Sequence, residues 1–73
     1  MLNDISRTDR EHLINEWIFN ERDRSILKRR LIDGMTYDLL SEEFELSYDR
    51  IKQICKRGEV TILYRYNTLK TTE

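Results

Sequence analysis

The chain has 73 residues, no proline, two glycines, 37% charged residues of mixed sign and a net charge of −1. That bounds it to one small domain and suits short helices with solvated faces better than a sandwich of strands. No apolar run approaches the ~18 residues of a membrane span, the N-terminus lacks the apolar stretch of a secretory leader, and one cysteine with one histidine, Cys55 and His12, offers neither a disulfide nor a metal-ligand set.

Thr8-Asp9-Arg10-Glu11 reads as a capping box, with Leu13, Ile14, Trp17 and Ile18 at helical spacing behind it. A first helix is expected over about 9–19. Asn20 is a second cap, with Glu21 and Asp23 in the first turn, where the helix dipole favours acids. Lys28, Arg29 and Arg30 suit a helix C-terminus, and Gly34 can take the left-handed conformation that ends one. Helix two is therefore placed at about 21–33, with Ile26, Leu27 and Leu31 inward.

Thr36 caps a short third helix of about 37–44, with Tyr37, Leu40 and Phe44 on one face and the small Ser41 allowing a close approach. Glu45 and Leu46 form a turn, and Ser47 caps a fourth helix of about 48–66. Two helices separated by about three residues, with an apolar residue in the turn, make a helix-turn-helix. Residues 60–66 also have strand propensity, and Gly58 is a possible helix stop. A continuous helix is favoured because Ile62 and Tyr66 extend the inward stripe, which leaves Val60, Leu63 and Tyr64 as an outer stripe for helix one or another subunit. The fold class is thus all-α, a four-helix helix-turn-helix domain over 1–73, with Leu13, Trp17, Leu27, Leu31, Leu40, Phe44, Leu46, Ile51 and Ile54 in its core.

Charge is unevenly spread. Residues 1–47 carry seven Lys/Arg against eleven Asp/Glu, and residues 48–73 carry six against three. The basic charge thus lies on the helix that follows the turn. Ile51, Ile54, Cys55, Gly58 and Ile62 share one side of that helix, so Asp49, Gln53 and Lys56 point the other way, flanked by Arg50, Lys52 and Arg57. Arg50 stands at the third helical position, where the dipole disfavours a cation, and a phosphate or a guanine edge would account for it. The arginines and lysine of helix two have two further readings, as contacts to a phosphate backbone or, for Arg22 and Arg24, as partners of acids on helix three. His12 has no catalytic partner, Cys55 reads as a small core residue, and the acids Asp38, Glu42, Glu43 and Glu45 read as a solvated face.

The runs Glu21 to Leu27, Gly34 to Ser47 and Arg50-Ile51-Lys52-Gln53-Ile54 stand in the order and spacing of region 4 of bacterial sigma-70-type factors. The span of about 21–66 resembles that module, and also small phage and prophage transcription regulators of low-GC Gram-positive bacteria that share it. The resemblance implies that Tyr48, Asp49, Arg50, Lys52 and Gln53 enter a major groove, with Lys56 and Arg57 a turn further on. It departs at Tyr48, where primary sigma factors usually carry Arg, at Lys52, which lacks the bidentate fork of an arginine, and at Cys55-Lys56-Arg57-Gly58-Glu59, which replaces an Ala- and Leu-rich continuation. The expected function is a cytoplasmic, sequence-specific DNA-binding regulator of transcription, with double-stranded DNA as partner and no enzyme activity, cofactor or membrane contact. RNA polymerase and a second copy docked through the C-terminal helix are further candidate partners. The alternative is an interaction module that binds the polymerase flap or a sigma factor and has little DNA affinity of its own.

Overall fold

The computed structural model of the protein describes residues 5–71. Among them are four helices and no strand: α1 (Arg7–Trp17), α2 (Glu21–Leu31), α3 (Tyr37–Phe44) and α4 (Tyr48–Thr71). The all-α expectation holds, and three of the four starts are set by the anticipated side-chain caps. Asn20 accepts from the Asp23 N–H at 3.1 Å, Thr36 from Leu39 at 3.3 Å and Ser47 from Arg50 at 3.1 Å.

Helix α1 is capped differently. Ser6, not Thr8, accepts from the Asp9 N–H, at 3.1 Å, so α1 begins two residues before the expected start. It also ends at Trp17 rather than 19, because Ile18 turns extended and leaves Phe19 exposed at the corner. Helix α2 stops at Leu31, where the chain closes around Gly34 with φ 74°, and Met35 N–H donates to Arg29 O at 3.0 Å. The turn before α4 hides a strained residue: Glu45 ends α3 with φ 55°, a left-handed conformation that costs a side-chain-bearing residue about 1–2 kcal/mol. Ser41 Oγ donates to Leu46 O across this turn, which gives the small residue of α3 its use.

The core has two parts joined by α2 and α4. One contains Ile5, Leu13, Ile14, Leu27, Leu31 and Ile62, and draws in Trp17, Ile18, Leu63 and Tyr66. The other contains Ile26, Leu40, Ile51, Ile54 and Cys55 beneath Tyr37, Phe44 and Leu46. Six of the nine expected core residues are buried; Trp17, Phe44 and Leu46 are only half-buried, because each lies at the rim of its cluster. Ile5 was not anticipated, since it precedes the first helix and carries no helical period.

Helix α4 passes both of its doubtful points and runs beyond the expected end at 66. Ile62 is fully buried against α1, and this burial outweighs the strand propensity of its neighbours. Thr61 and Thr68 donate their hydroxyls to Arg57 O at 3.1 Å and Tyr64 O at 2.8 Å, so these polar groups are satisfied within the helix. Of the outer stripe, Leu63 packs on the α1 cluster, whereas Val60 and Tyr64 are exposed.

Gly58 does not end the helix. It lies where α4 meets α2, and a Cβ there would fall 2.3 Å from Leu27 Cδ1 and 2.9 Å from Leu27 Cγ. Leu27 is itself buried and has little room to move. Helix propensity alone would make Gly58→Ala stabilising by about 1 kcal/mol. Overpacking of a filled site costs about 1–3 kcal/mol. The variant is therefore expected to be less stable than the parent in equilibrium urea unfolding, and the same substitution made in a Leu27→Ala background should cost less than it does in the parent. A more stable Gly58→Ala single variant would contradict the close approach.

Candidate nucleic-acid interface

The N-terminal half of α4 is fixed from two sides. Its start is held by Ser47, whose oxygens accept from the backbone of Arg50 and Ile51. Its inner face is held by Ile51, Ile54 and Cys55, all buried. Burial also pushes the Cys55 thiol up to about 11, chiefly by desolvation of the thiolate, so it stays a neutral packing group at neutral pH.

The outer face follows by rotation. Asp49, Arg50, Lys52, Gln53, Lys56 and Arg57 are all exposed, and with Ser47 they line one open concavity of about 580 Å³. Four cations face one carboxylate there, on a chain whose net charge is −1. Within this face Arg50 Nη1 donates to Gln53 Oε1 at 3.2 Å.

Tyr48 is placed apart from these six. Its ring meets Tyr37 edge-on, with centroids 5.6 Å apart and planes at 87°, at the start of α3. Tyr37 in turn lies under the Arg30 guanidinium, 4.3 Å from the ring centroid. Tyr48 thus joins α4 to α3, and it remains 46% exposed.

A second hollow, of about 290 Å³, adjoins the first where the α1–α2 corner faces α4. Phe19, Asn20 and Asp23 line one side and Arg50, Gln53 and Arg57 the other. Phe19 is 77% exposed at its edge. This neighbourhood is not legible from residue spacing, because a first helix over 9–19 includes Phe19, whereas α1 ends at Trp17.

The basic residues of α2 are largely committed to the fold. Arg24 donates to Ile18 O at 3.0 Å and Arg30 to Met35 O at 2.9 Å. The ion pair to α3 is made by Arg29, 2.9 Å from Glu43, and not by Arg22 or Arg24. Arg22 instead leans on its neighbour Asp23 at 3.4 Å. His12 lies 3.8 Å from Glu16 on the exposed side of α1. Among the described residues no three His, Cys, Asp or Glu side chains gather as a metal would need, and no helix is long and apolar enough to cross a membrane.

A short helix, a three-residue turn, and a capped helix with an outward polar and basic face are thus in place. The family model of sigma-70 region 4 matches residues 19–59, more than half of the chain. The chain belongs to the sigma-70 region 4 family. It is therefore a helix-turn-helix domain of a DNA-binding family. The region 4 match takes in α2, α3 and the first half of α4, with every buried residue of the second core cluster. Helix α1 and the distal half of α4 lie outside it, and they pack on each other through Leu13, Ile14 and Ile62. No curated protein and no solved structure matches the chain.

Proposed function

We propose that this region 4 domain is a sequence-specific regulator of transcription that reads the major groove of double-stranded DNA with the N-terminal half of α4. The reading is carried by the concentration of Arg50, Lys52, Lys56 and Arg57 around Gln53 on one exposed helix face. Such a face combines groups that pair with base edges and groups that neutralise phosphates. Asp49, in the first turn, adds an acceptor suited to a cytosine amino group. Tyr48, engaged with Tyr37 and still 46% exposed, is assigned to the edge of the interface, beside the DNA backbone.

A single module with about four to six phosphate contacts binds weakly at physiological salt. Useful affinity then calls for RNA polymerase, or for a second copy held through the exposed Val60 and Tyr64 of the distal α4. The resemblance to free-standing phage and prophage regulators agrees with a cytoplasmic protein that works through such an assembly.

Selection of random duplex DNA by the purified protein tests the proposal. A defined site is expected from the parent and loss of enrichment from an Arg50→Ala, Gln53→Ala double variant. A second reading, binding of the polymerase flap or of a sigma factor with little DNA affinity, is favoured by the exposed acids Asp38, Glu42 and Glu45 of α3 and its turn, which oppose DNA on that side. Capture of the flap by a protein that enriches no duplex would replace the first reading with the second.

The chain is further proposed to act by binding and not by catalysis, without metal or cofactor. His12, exposed with Glu16 at 3.8 Å, and the buried, high-pKa Cys55 support this. Elemental analysis of protein purified without added ions is expected to show substoichiometric metal. One metal per chain would overturn the assignment.

A further inference from the structure

We propose that Arg50 and Gln53 form one reading unit selective for guanine, rather than two independent readers of guanine and adenine. The inference rests on the DNA-reading function proposed above and specifies its target. The two residues stand three apart on one face of α4, both exposed, and Arg50 Nη1 donates to Gln53 Oε1 at 3.2 Å.

The chemistry of the pair fixes the glutamine amide. A guanidinium only donates hydrogen bonds, so Gln53 must turn its carbonyl oxygen toward Arg50, and the reverse orientation would set donor against donor. The amide N–H groups are then directed away from Arg50. Recognition of adenine by glutamine needs that same oxygen to accept from the adenine amino group while the amide nitrogen donates to N7. Arg50 occupies one of the two lone pairs of that oxygen and sets its direction, which disfavours the adenine mode. What the pair offers outward is mainly donors: the remaining N–H groups of Arg50 and the amide of Gln53. Guanine presents two acceptors, O6 and N7, in the major groove. The contact to Gln53 also restrains a long side chain before DNA arrives, so less of its freedom is lost on binding.

The test uses the full chain, its selected duplex, and a panel in which each base pair of that site is replaced in turn. Arg50→Ala and Gln53→Ala are each expected to abolish discrimination at the same G·C pair, on the order of tenfold. The double variant should bind no more than about twofold worse than Arg50→Ala alone, as expected of coupled residues. Gln53→Met, which keeps the length and removes the acceptor, should behave as Gln53→Ala. Gln53→Glu keeps the acceptor and should retain the guanine preference at lower overall affinity. If Gln53→Ala alters preference at a different base pair from Arg50→Ala, or the two losses multiply, the paired unit is wrong while DNA reading stands. If the parent enriches and binds no duplex, DNA reading itself falls and the unit falls with it.

Discussion

Leu40→Ala is expected to destabilise the domain by about 2–5 kcal/mol, the range for truncating a buried leucine in a site that collapses incompletely. Leu40 is fully buried in the cluster that holds α3 to α2 and α4, together with Ile26 and Ile51. Whole domains of this length are stable by only about 4–11 kcal/mol at the usual 0.05–0.15 kcal/mol per residue. The loss is thus a large share of the total, and much of the population should unfold near 37 °C. Phe44, one turn further along α3, is the larger side chain but should matter less. It is half-buried at the rim, with the Arg29 guanidinium 6.0 Å from its ring centroid. Leu39→Ala, at a 52% exposed position on the same helix, should change stability by no more than about 0.5 kcal/mol. Urea unfolding followed by helical circular dichroism ranks the three. A Leu40→Ala variant within about 1 kcal/mol of the parent, or one more stable than Phe44→Ala, would contradict the core described here.

The legible parts of the fold were those with local chemical causes. Asn20, Thr36 and Ser47 are caps whose side chains reach a backbone N–H three residues on, and that reach is visible in a sequence. At the first helix two hydroxyl residues competed. Thr8 had the capping-box glutamate behind it, but the buried Ile5 pins the chain just before Ser6, and Ser6 became the cap. Tertiary causes were hidden. Gly58 looked like a stop because nothing in the sequence shows that Leu27 will lie against it. Glu45 gave no sign of its left-handed backbone, since the glycine or asparagine that usually marks one is missing.

The candidate site divides in the same way. The outward rotation of Asp49, Lys52, Gln53 and Lys56 follows from Ile51, Ile54 and Cys55 alone, because a helix has only one way to bury that set. What that pattern does not contain is any contact made by the exposed ends of the side chains. The hydrogen bond from Arg50 to Gln53, the edge-on contact of Tyr48 with Tyr37, and the approach of Phe19 to the basic face depend on rotamers and on the α1–α2 corner, neither of which can be read from spacing. Tyr48 shows the consequence: the position after the turn suggests a base reader, while its ring is held by α3.

Lys56→Ala and Arg57→Ala are expected to weaken binding to every duplex alike and to reduce its salt dependence. The two side chains lie six and seven residues beyond Arg50 on α4, roughly 9–11 Å along the axis at 1.5 Å per residue. The major groove is about 12 Å wide. A helix that places Arg50 and Gln53 at the base edges therefore carries Lys56 and Arg57 toward the phosphates at the rim, on the same open concavity. Each phosphate neutralised contributes about 0.9 to the slope of log affinity against log salt. With about four to six contacts, the parent should lose roughly 10²- to 10³-fold in affinity between 50 and 200 mM salt. Removal of both cations should lower the slope by about two units and reduce affinity for the selected and the scrambled duplex by the same factor. Arg50→Ala should do the opposite, with a large loss on the selected duplex and a small one on the scrambled. The measurement is a titration of both duplexes at four or more salt concentrations with the parent and the variants. An unchanged slope in the Lys56→Ala, Arg57→Ala double variant would mean that this end of the basic face does not touch the backbone, and the docking of α4 along the groove would have to be abandoned.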